Sequence, residues 1–268
     1  MATWFDGYVQ ANGINIHYHR TGNGNKPAIL LLHGITDNGL CWSRVAHDLE
    51  SDYDLIMTDA RGHGRSDGVS TGFSLEILAD DAAGVIRELG LQKPYLFGHS
   101  MGAITAAAVA ARYPNLVRAA LLEDPPFRDT APPPTNKEQQ AERARALLHF
   151  RELTREEKAA QARTANPNWV DEENIPWVDS KAEFDVEVFE HANFFAKPWR
   201  EAIPQIELPV LLITGNPEQA IVTPEVAQEV AQTWKNCQVA QINGAGHSIH
   251  RDRYAEVMQV VRAFLKEH

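Results

Sequence analysis

Cysteine, positive charge and long apolar runs are all scarce in this chain. Two cysteines, Cys41 and Cys237, occur in 268 residues. Thiols so few and so far apart build neither a metal knuckle nor a disulfide framework, and they read as buried or incidental. Lysine and arginine number 25 against 36 aspartates and glutamates, a formal net charge of −11. That sign repels the phosphates of nucleic acid and of anionic membranes, so neither is an expected partner, and the charge serves solubility. No apolar run reaches the roughly 18 residues that span a bilayer; GAITAAAVAA is short and alanine-rich. The start, MATWFDGYVQ, has no basic region followed by an apolar core, so it does not read as a signal peptide and the expectation is a cytoplasmic protein. Repeats and long low-complexity tracts are also missing.

What is present is the composition of a soluble globular domain, 44% hydrophobic and 23% charged. The length suits one α/β domain with a sizeable insertion. YVQANGINIHYHRTG has extended runs on either side of Asn12-Gly13, a dipeptide that accepts positive φ, and predicts a β-hairpin. PAILLLHG is a short continuous apolar run ending in glycine, the pattern of a strand buried on both faces. Strands at YDLIMTD, PYLFG and LVRAALLED then alternate with helices over Leu75 to Leu89 and Ser100 to Tyr113, which predicts a mainly parallel sheet with helices on both faces.

Prolines in DPPFRDTAPPPTNK break the alternation. The chain then becomes helical and charged, and afterwards rich in aromatics: Trp169, Trp177, Phe184, Phe189, Phe194, Phe195 and Trp199. We read 125–204 as an inserted helical cap and 1–124 with 205–268 as the core. Most of the cap aromatics pack; two or three are expected to face a ligand cavity, and Trp169, Trp177 and Phe195 are the candidates. Alternation resumes with LPVLLITG, a helix capped by Thr223-Pro224, the strand CQVAQIN and a last helix over Tyr254 to Lys266.

GHSMG, Gly98 to Gly102, falls between the strand PYLF and the alanine-rich helix, the strand–turn–helix context that gives a G-x-S-x-G pattern its meaning. A serine forced into a strained turn needs small neighbours so that the backbone can reverse and the helix can approach the strand, and the helix N-terminus supplies backbone N–H groups beside Ser100.

With LLLHGIT, DARGHGRSD, GHSMG and GAGHSIH in that order, the chain resembles the α/β-hydrolase superfamily over nearly its whole length. The resemblance implies an eight-stranded, mostly parallel sheet flanked by helices, with a cap inserted after the sixth strand. It also implies Ser100 as nucleophile and an oxyanion hole made by the backbone N–H groups of Ile35 and Met101. It gives the general base to His247 in INGAGH, with His250 as the nearest rival. His33 and Gly34 are expected to shape their loop, His63 and His99 to pack or hydrogen-bond, and Asp59 to tether the RGHGRSD loop through an arginine.

The acid is less regular. In most relatives it is an Asp three residues after a Gly at the end of the seventh strand, and ITGNPEQAIVTPE places Glu218 there. The sixth strand ends in LLEDPPF, with Glu123 and Asp124 pointing to opposite faces. Zearalenone-type lactone hydrolases, which this chain resembles here, carry the acid after the sixth strand, so Asp124 is the favoured acid, Glu218 the alternative and Glu123 the third choice. A turn cap before Pro125-Pro126 is the structural role that Asp124 would otherwise have.

Such a triad performs acyl transfer to serine followed by hydrolysis and requires no metal or other cofactor. Serine at position 100 disfavours epoxide opening and dehalogenation, which use an Asp nucleophile in related folds. The expected substrate is a small or medium-sized apolar carboxylic ester or lactone. A carbon–carbon bond hydrolase or perhydrolase on the same triad, or a hydrolase-like small-molecule receptor, is the alternative, and the oligomeric state is open.

Overall fold

The computed structural model describes residues 4–127, 136–191, 198–203 and 206–268. The apolar runs form eight strands: β1 (Phe5–Ala11), β2 (Ile14–Arg20), β3 (Ala28–Leu32), β4 (Asp54–Thr58), β5 (Tyr95–His99), β6 (Ala119–Glu123), β7 (Val210–Thr214) and β8 (Cys237–Gln241). They pair in one sheet in the order β1-β2-β4-β3-β5-β6-β7-β8. The hairpin turns at Asn12 and Gly13, both with positive φ, and β1–β2 and β2–β4 are antiparallel, while every later pairing is parallel. The sheet is thus mostly parallel, as the alternation of elements predicts, and eight-stranded, as the resemblance implies.

Alternate residues of the central strands enter different cores, because side chains on a strand point to opposite faces. Leu30 and Leu32 of β3 join Leu96, Ala120 and Leu212 against helices α2 (Leu75–Glu88), α3 (Met101–Arg112) and α8 (Pro224–Thr233). Ile29 and Leu31 join Phe97, Leu121 and Ile213 against α1 (Ser43–Leu49) and α10 (Tyr254–Glu267). The caps follow the sequence signals: Ser74 accepts from Ile77 N–H at the start of α2, and Thr223 from Val226 N–H before Pro224.

Between β6 and β7 the described residues are helical: α4 (Lys137–Glu152), α5 (Arg155–Ala165), α6 (Asp171–Ser180), a short 3-10 turn at Val186–Phe189 and α7 (Trp199–Ala202). Capping boxes at Asn136 and Thr154 start α4 and α5. The segment sits over the C-terminal ends of the strands, where Asp185 N–H donates to Gly62 O and Asn38 Nδ2 donates to Glu183 Oε2. Phe184, Val188 and Phe189 pack there with Val69, Phe73, Leu78 and Met101 in a third apolar cluster, against which Ile35 also rests. Trp199 instead stacks on Phe127 at 5.2 Å, where the segment returns to the sheet. Phe194, Phe195 and the residue-204 boundary lie outside the described residues. Among the described residues no helix is long and apolar enough to cross a membrane.

Candidate active site

Ser100 stands between β5 and α3 with φ 52° and ψ −114°, a conformation L-residues rarely adopt. Its neighbours explain how the turn closes. A Cβ on Gly98 would lie 2.2 Å from Gly102 O, and one on Gly102 would lie 1.9 Å from Leu32 O. Both positions exclude any side chain, so the glycines of GHSMG let α3 start directly against β3 and β5.

His247 Nε2 lies 3.0 Å from Ser100 Oγ, and its Nδ1 lies 2.6 Å from Asp124 Oδ2. A carboxylate can only accept here, so Nδ1 carries the proton and Nε2 is left to accept from the serine hydroxyl. Asp124 is fully buried, and its oxygens also accept the backbone N–H groups of Ile221 and Val222 at 2.9 Å. The loop after β7 thus supplies hydrogen-bond donors to Asp124, while Glu218, in that same loop, is exposed. Of the candidate acids, the structure places Asp124 against His247 and leaves Glu218 in solvent.

Glu123 faces the other side of the strand end and holds His250, accepting both its backbone N–H at 3.0 Å and its Nδ1–H at 2.8 Å. Burial opposes ionisation of Glu123, but the neighbouring His250 and His99 rings and these hydrogen bonds outweigh it and hold the carboxyl at about 2. His250 stacks on Trp42 at 4.7 Å, away from Ser100's partner. His99 donates Nε2–H to the carbonyl of His247 at 3.1 Å and braces that loop; burial pushes its pKa down to about 3 and keeps it neutral.

Ile35 and Met101 sit in loops whose peptide planes are fixed from behind. Gly34 O, on the plane that carries Ile35 N–H, accepts from His33 Nδ1 at 2.7 Å and Asp37 N–H at 3.2 Å. Ser100 O, on the plane that carries Met101 N–H, accepts from Ala103 and Ile104 N–H at 3.0 and 3.1 Å. In a trans peptide the N–H points opposite to the carbonyl, so both N–H groups are turned away from these bonds. His33 and His63 further join this loop to the next, since His33 Nε2 accepts Ala60 N–H at 3.0 Å and His63 Nε2 accepts Thr36 N–H at 3.3 Å. Burial lowers the pKa of both rings, that of His63 to about 3, which suits nitrogens that must accept.

Asp59 does tether the RGHGRSD loop, though not through a guanidinium. It accepts the backbone N–H groups of Arg65 at 2.9 Å and Gly39 at 2.7 Å and pairs with buried His17 at 2.8 Å. The buried arginine, Arg61, pairs with Asp81 of α2 at 2.5 Å. The aromatics singled out in the sequence also have polar neighbours. Trp169 donates to Asp252 at 2.8 Å and lies 4.9 Å from the Arg251 guanidinium, and the face of Trp177 lies 4.4 Å from Lys181 Nζ.

No sequence pattern marks Lys181, Asp37 or Arg251, which form a buried cluster beside the Ile35 loop. Nor does any pattern mark the Ile221 and Val222 donors, which are backbone groups without a side-chain signature. Phe184 and Phe189 appear in the sequence as cap aromatics; their packing beside Met101 needs the fold. Among the described residues no group of three His, Cys, Asp or Glu side chains is placed to hold a metal ion.

Comparison with known proteins gives this geometry its context. The chain is 29% identical over 250 residues to the N-formylmaleamate deformylase of Pseudomonas putida KT2440, covering 92% of this chain and 91% of that one. It is 27% identical over 281 residues to a bifunctional esterase/perhydrolase of Acinetobacter calcoaceticus, covering 97% and 99%. A 116-residue stretch is 38% identical to the 2-(acetamidomethylene)succinate hydrolase of Mesorhizobium japonicum, spanning 43% of this chain and 41% of that protein. In structure it is similar to the enol-lactonase of Burkholderia xenovorans LB400, with a TM-score of 0.75 at 24% identity over 97% of this chain and 100% of that one. A model of the alpha/beta hydrolase fold matches residues 27–254. The chain belongs to the α/β hydrolase fold family.

Proposed function

We propose that this protein is a serine hydrolase that cleaves a carboxylic ester or lactone of a small or medium-sized apolar substrate through an acyl-enzyme on Ser100. The observation that carries the reading is the continuous hydrogen-bonded path from Ser100 Oγ through His247 to buried Asp124, set on the strained turn before α3. His247 removes the serine proton as Oγ attacks the carbonyl carbon. Negative charge then develops on the carbonyl oxygen, and the N–H groups of Ile35 and Met101 stabilise it; such a donor is typically worth about 2.7–4 kcal/mol of barrier. The imidazolium returns its proton to the leaving alkoxide, and the same groups activate a water that hydrolyses the acyl-enzyme. The insertion over residues 125–204 acts as the cap, and among its described residues Phe184, Val188 and Phe189 pack beside Met101, the residue after the nucleophile. Trp169, Trp177 and Phe195 remain our proposed substrate contacts.

A second reading is favoured by the likeness to the N-formylmaleamate deformylase over almost the full chain. The same triad acts on a carbon–nitrogen acyl bond when the leaving group is a weakly basic nitrogen. The esterase/perhydrolase relative keeps transfer of the acyl group to peroxide open as a side activity.

Short p-nitrophenyl esters, an enol-lactone and an N-formyl amide assayed side by side test these readings. Multiple turnover on the ester or lactone, abolished in Ser100→Ala, is the expected result. Turnover that persists in Ser100→Ala overturns the mechanism, and a stall after about one equivalent of product identifies a receptor instead.

A further inference from the structure

Thr36 follows Ile35 and has φ 67°. A β-branched residue in this region is a true outlier, and it persists where its surroundings over-determine it. Every polar group of Thr36 is held. Its N–H donates to His63 Nε2, its carbonyl accepts from Lys181 Nζ at 2.8 Å, and its hydroxyl oxygen accepts from the same Nζ at 2.9 Å. Ser180 Oγ approaches the same carbonyl at 3.1 Å, sharing its proton with Trp177 O at 2.8 Å. The third Lys181 donor goes to Asp37 Oδ1 at 3.0 Å, and the other oxygen of Asp37 accepts from Arg251 Nη2 at 2.8 Å.

Lys181 is 4% exposed, and Trp177 lies over it. A buried ammonium is costly to keep unless each of its donors is used, and here all three are. Residues 180 and 181 end α6 of the inserted segment, whereas residues 36 and 37 belong to the loop after β3. Arg251 belongs to the short helix α9 (Ile249–Asp252), four positions beyond His247.

We infer that Lys181 is a positioning residue for catalysis: from the inserted segment it holds Thr36 in its left-handed conformation and thereby aims the Ile35 N–H at the reacting carbonyl oxygen. Asp37 links this brace to Arg251 on α9, the helix that follows His247, which makes docking of the insertion and assembly of the site a single event. The inference rests on the serine-hydrolase reading given above.

The test uses an ester turned over by the wild-type protein and lost in Ser100→Ala; if Ser100→Ala retains turnover, the hydrolase reading itself has failed, separately from this one. Lys181→Met is expected to lower kcat about 100-fold with KM changed less than about threefold, the signature of a displaced oxyanion donor. Adding Thr36→Gly is expected to recover at least about tenfold of that loss, because glycine takes positive φ without a brace. A folded Lys181→Met with kcat within about threefold of wild type overturns the inference. So does a loss confined to KM, which makes Lys181 a substrate contact, or a kcat loss that Thr36→Gly leaves untouched. Should circular dichroism show Lys181→Met unfolded, Ser180→Ala is read the same way, with an expected kcat loss of about fivefold, again recovered by Thr36→Gly; an unchanged kcat overturns the inference.

Discussion

Asp124, just past the end of β6, is held by donors from the loop after β7. Its φ of 42° lies in the left-handed region, which Asp tolerates better than most residues, and this brings the carboxylate off the end of β6 toward His247. One oxygen takes the imidazole Nδ1–H, and the Ile221 and Val222 N–H groups take up the remaining acceptor capacity. Asparagine would keep this shape while placing an NH2 group opposite Nδ1. The imidazole would then have to present Nε2–H to Ser100, the tautomer that cannot accept the serine proton. Asp124→Asn is therefore expected to lower kcat by about 10⁴-fold with little change in fold. Glu218→Gln, at an exposed position, is expected to leave kcat within about twofold. Steady-state kinetics of both variants on one ester decide the matter, and inactivity of Glu218→Gln beside an active Asp124→Asn would refute the assignment. The two neighbouring carboxylates were separable in the sequence because strand residues alternate; the choice against Glu218 was not, because the groups that satisfy Asp124 are main-chain N–H groups that any residue would supply.

The turn from β5 into α3 is the element on which the geometry depends, and it is also where local sequence and tertiary packing agree most closely. GHSMG announces it because both glycines are demanded by contacts with backbone, which cannot move aside as a flexible side chain can. Gly102→Ala would put a methyl group 1.9 Å from Leu32 O at the start of a helix that is buried along ten of its residues. Either α3 shifts away from β3 or the Leu32 carbonyl turns, and the Ser100 to His247 distance changes in both cases. Overpacking of this kind costs about 3 kcal/mol. For a chain of this size that lowers Tm by roughly 6–12 °C, and kcat is expected to fall with it; a Tm and kcat equal to wild type would show that the helix has room the structure denies. The strands and the helices α2, α3, α8 and α10 were legible from period and caps, since each buries a face set by its own residues. The exact tether of the RGHGRSD loop was not, because an acidic residue beside three arginine or histidine side chains offers several pairings, and burial of Arg61 against α2 selects among them.

At the scale of the whole molecule, the sheet collects the four motif loops at one end and the inserted segment covers them. That Ser100 and His247 meet followed from motif order, whereas Lys181 with Asp37, 144 residues apart, is a pairing that no local pattern encodes. The same burial gives the fold a distinctive response to acid. His33, His63 and His99 are enclosed, and burial lowers the pKa of each, to about 3 for His63 and His99. A histidine whose folded pKa lies below its unfolded value of about 6.5 binds fewer protons folded than unfolded between those two values, so stability declines as pH falls through that window. Each such ring adds a slope of about 1.4 kcal/mol per pH unit where the difference is one full proton. Glu123, held at about 2, adds its own loss at lower pH, since a carboxyl depressed in the fold contributes above its unfolded value of about 4.3 and loses that contribution below it. His33, His63 and His99 therefore lower stability, measured by urea denaturation, between about pH 6 and pH 4.5. They act against the opposite contribution of buried His17, whose pKa, despite its burial, Asp59 and Asp6 raise, and of Asp81, raised by burial. His63 faces His33 at 5.0 Å and is enclosed by Phe73 and Phe184; its replacement by Gln keeps an acceptor for Thr36 N–H but removes the proton-binding site. His63→Gln should then flatten the slope by about 1.4 kcal/mol per pH unit in that window, whatever its effect on stability at pH 8. An unchanged slope would mean that His63 takes up its proton in the folded protein as readily as in the unfolded chain.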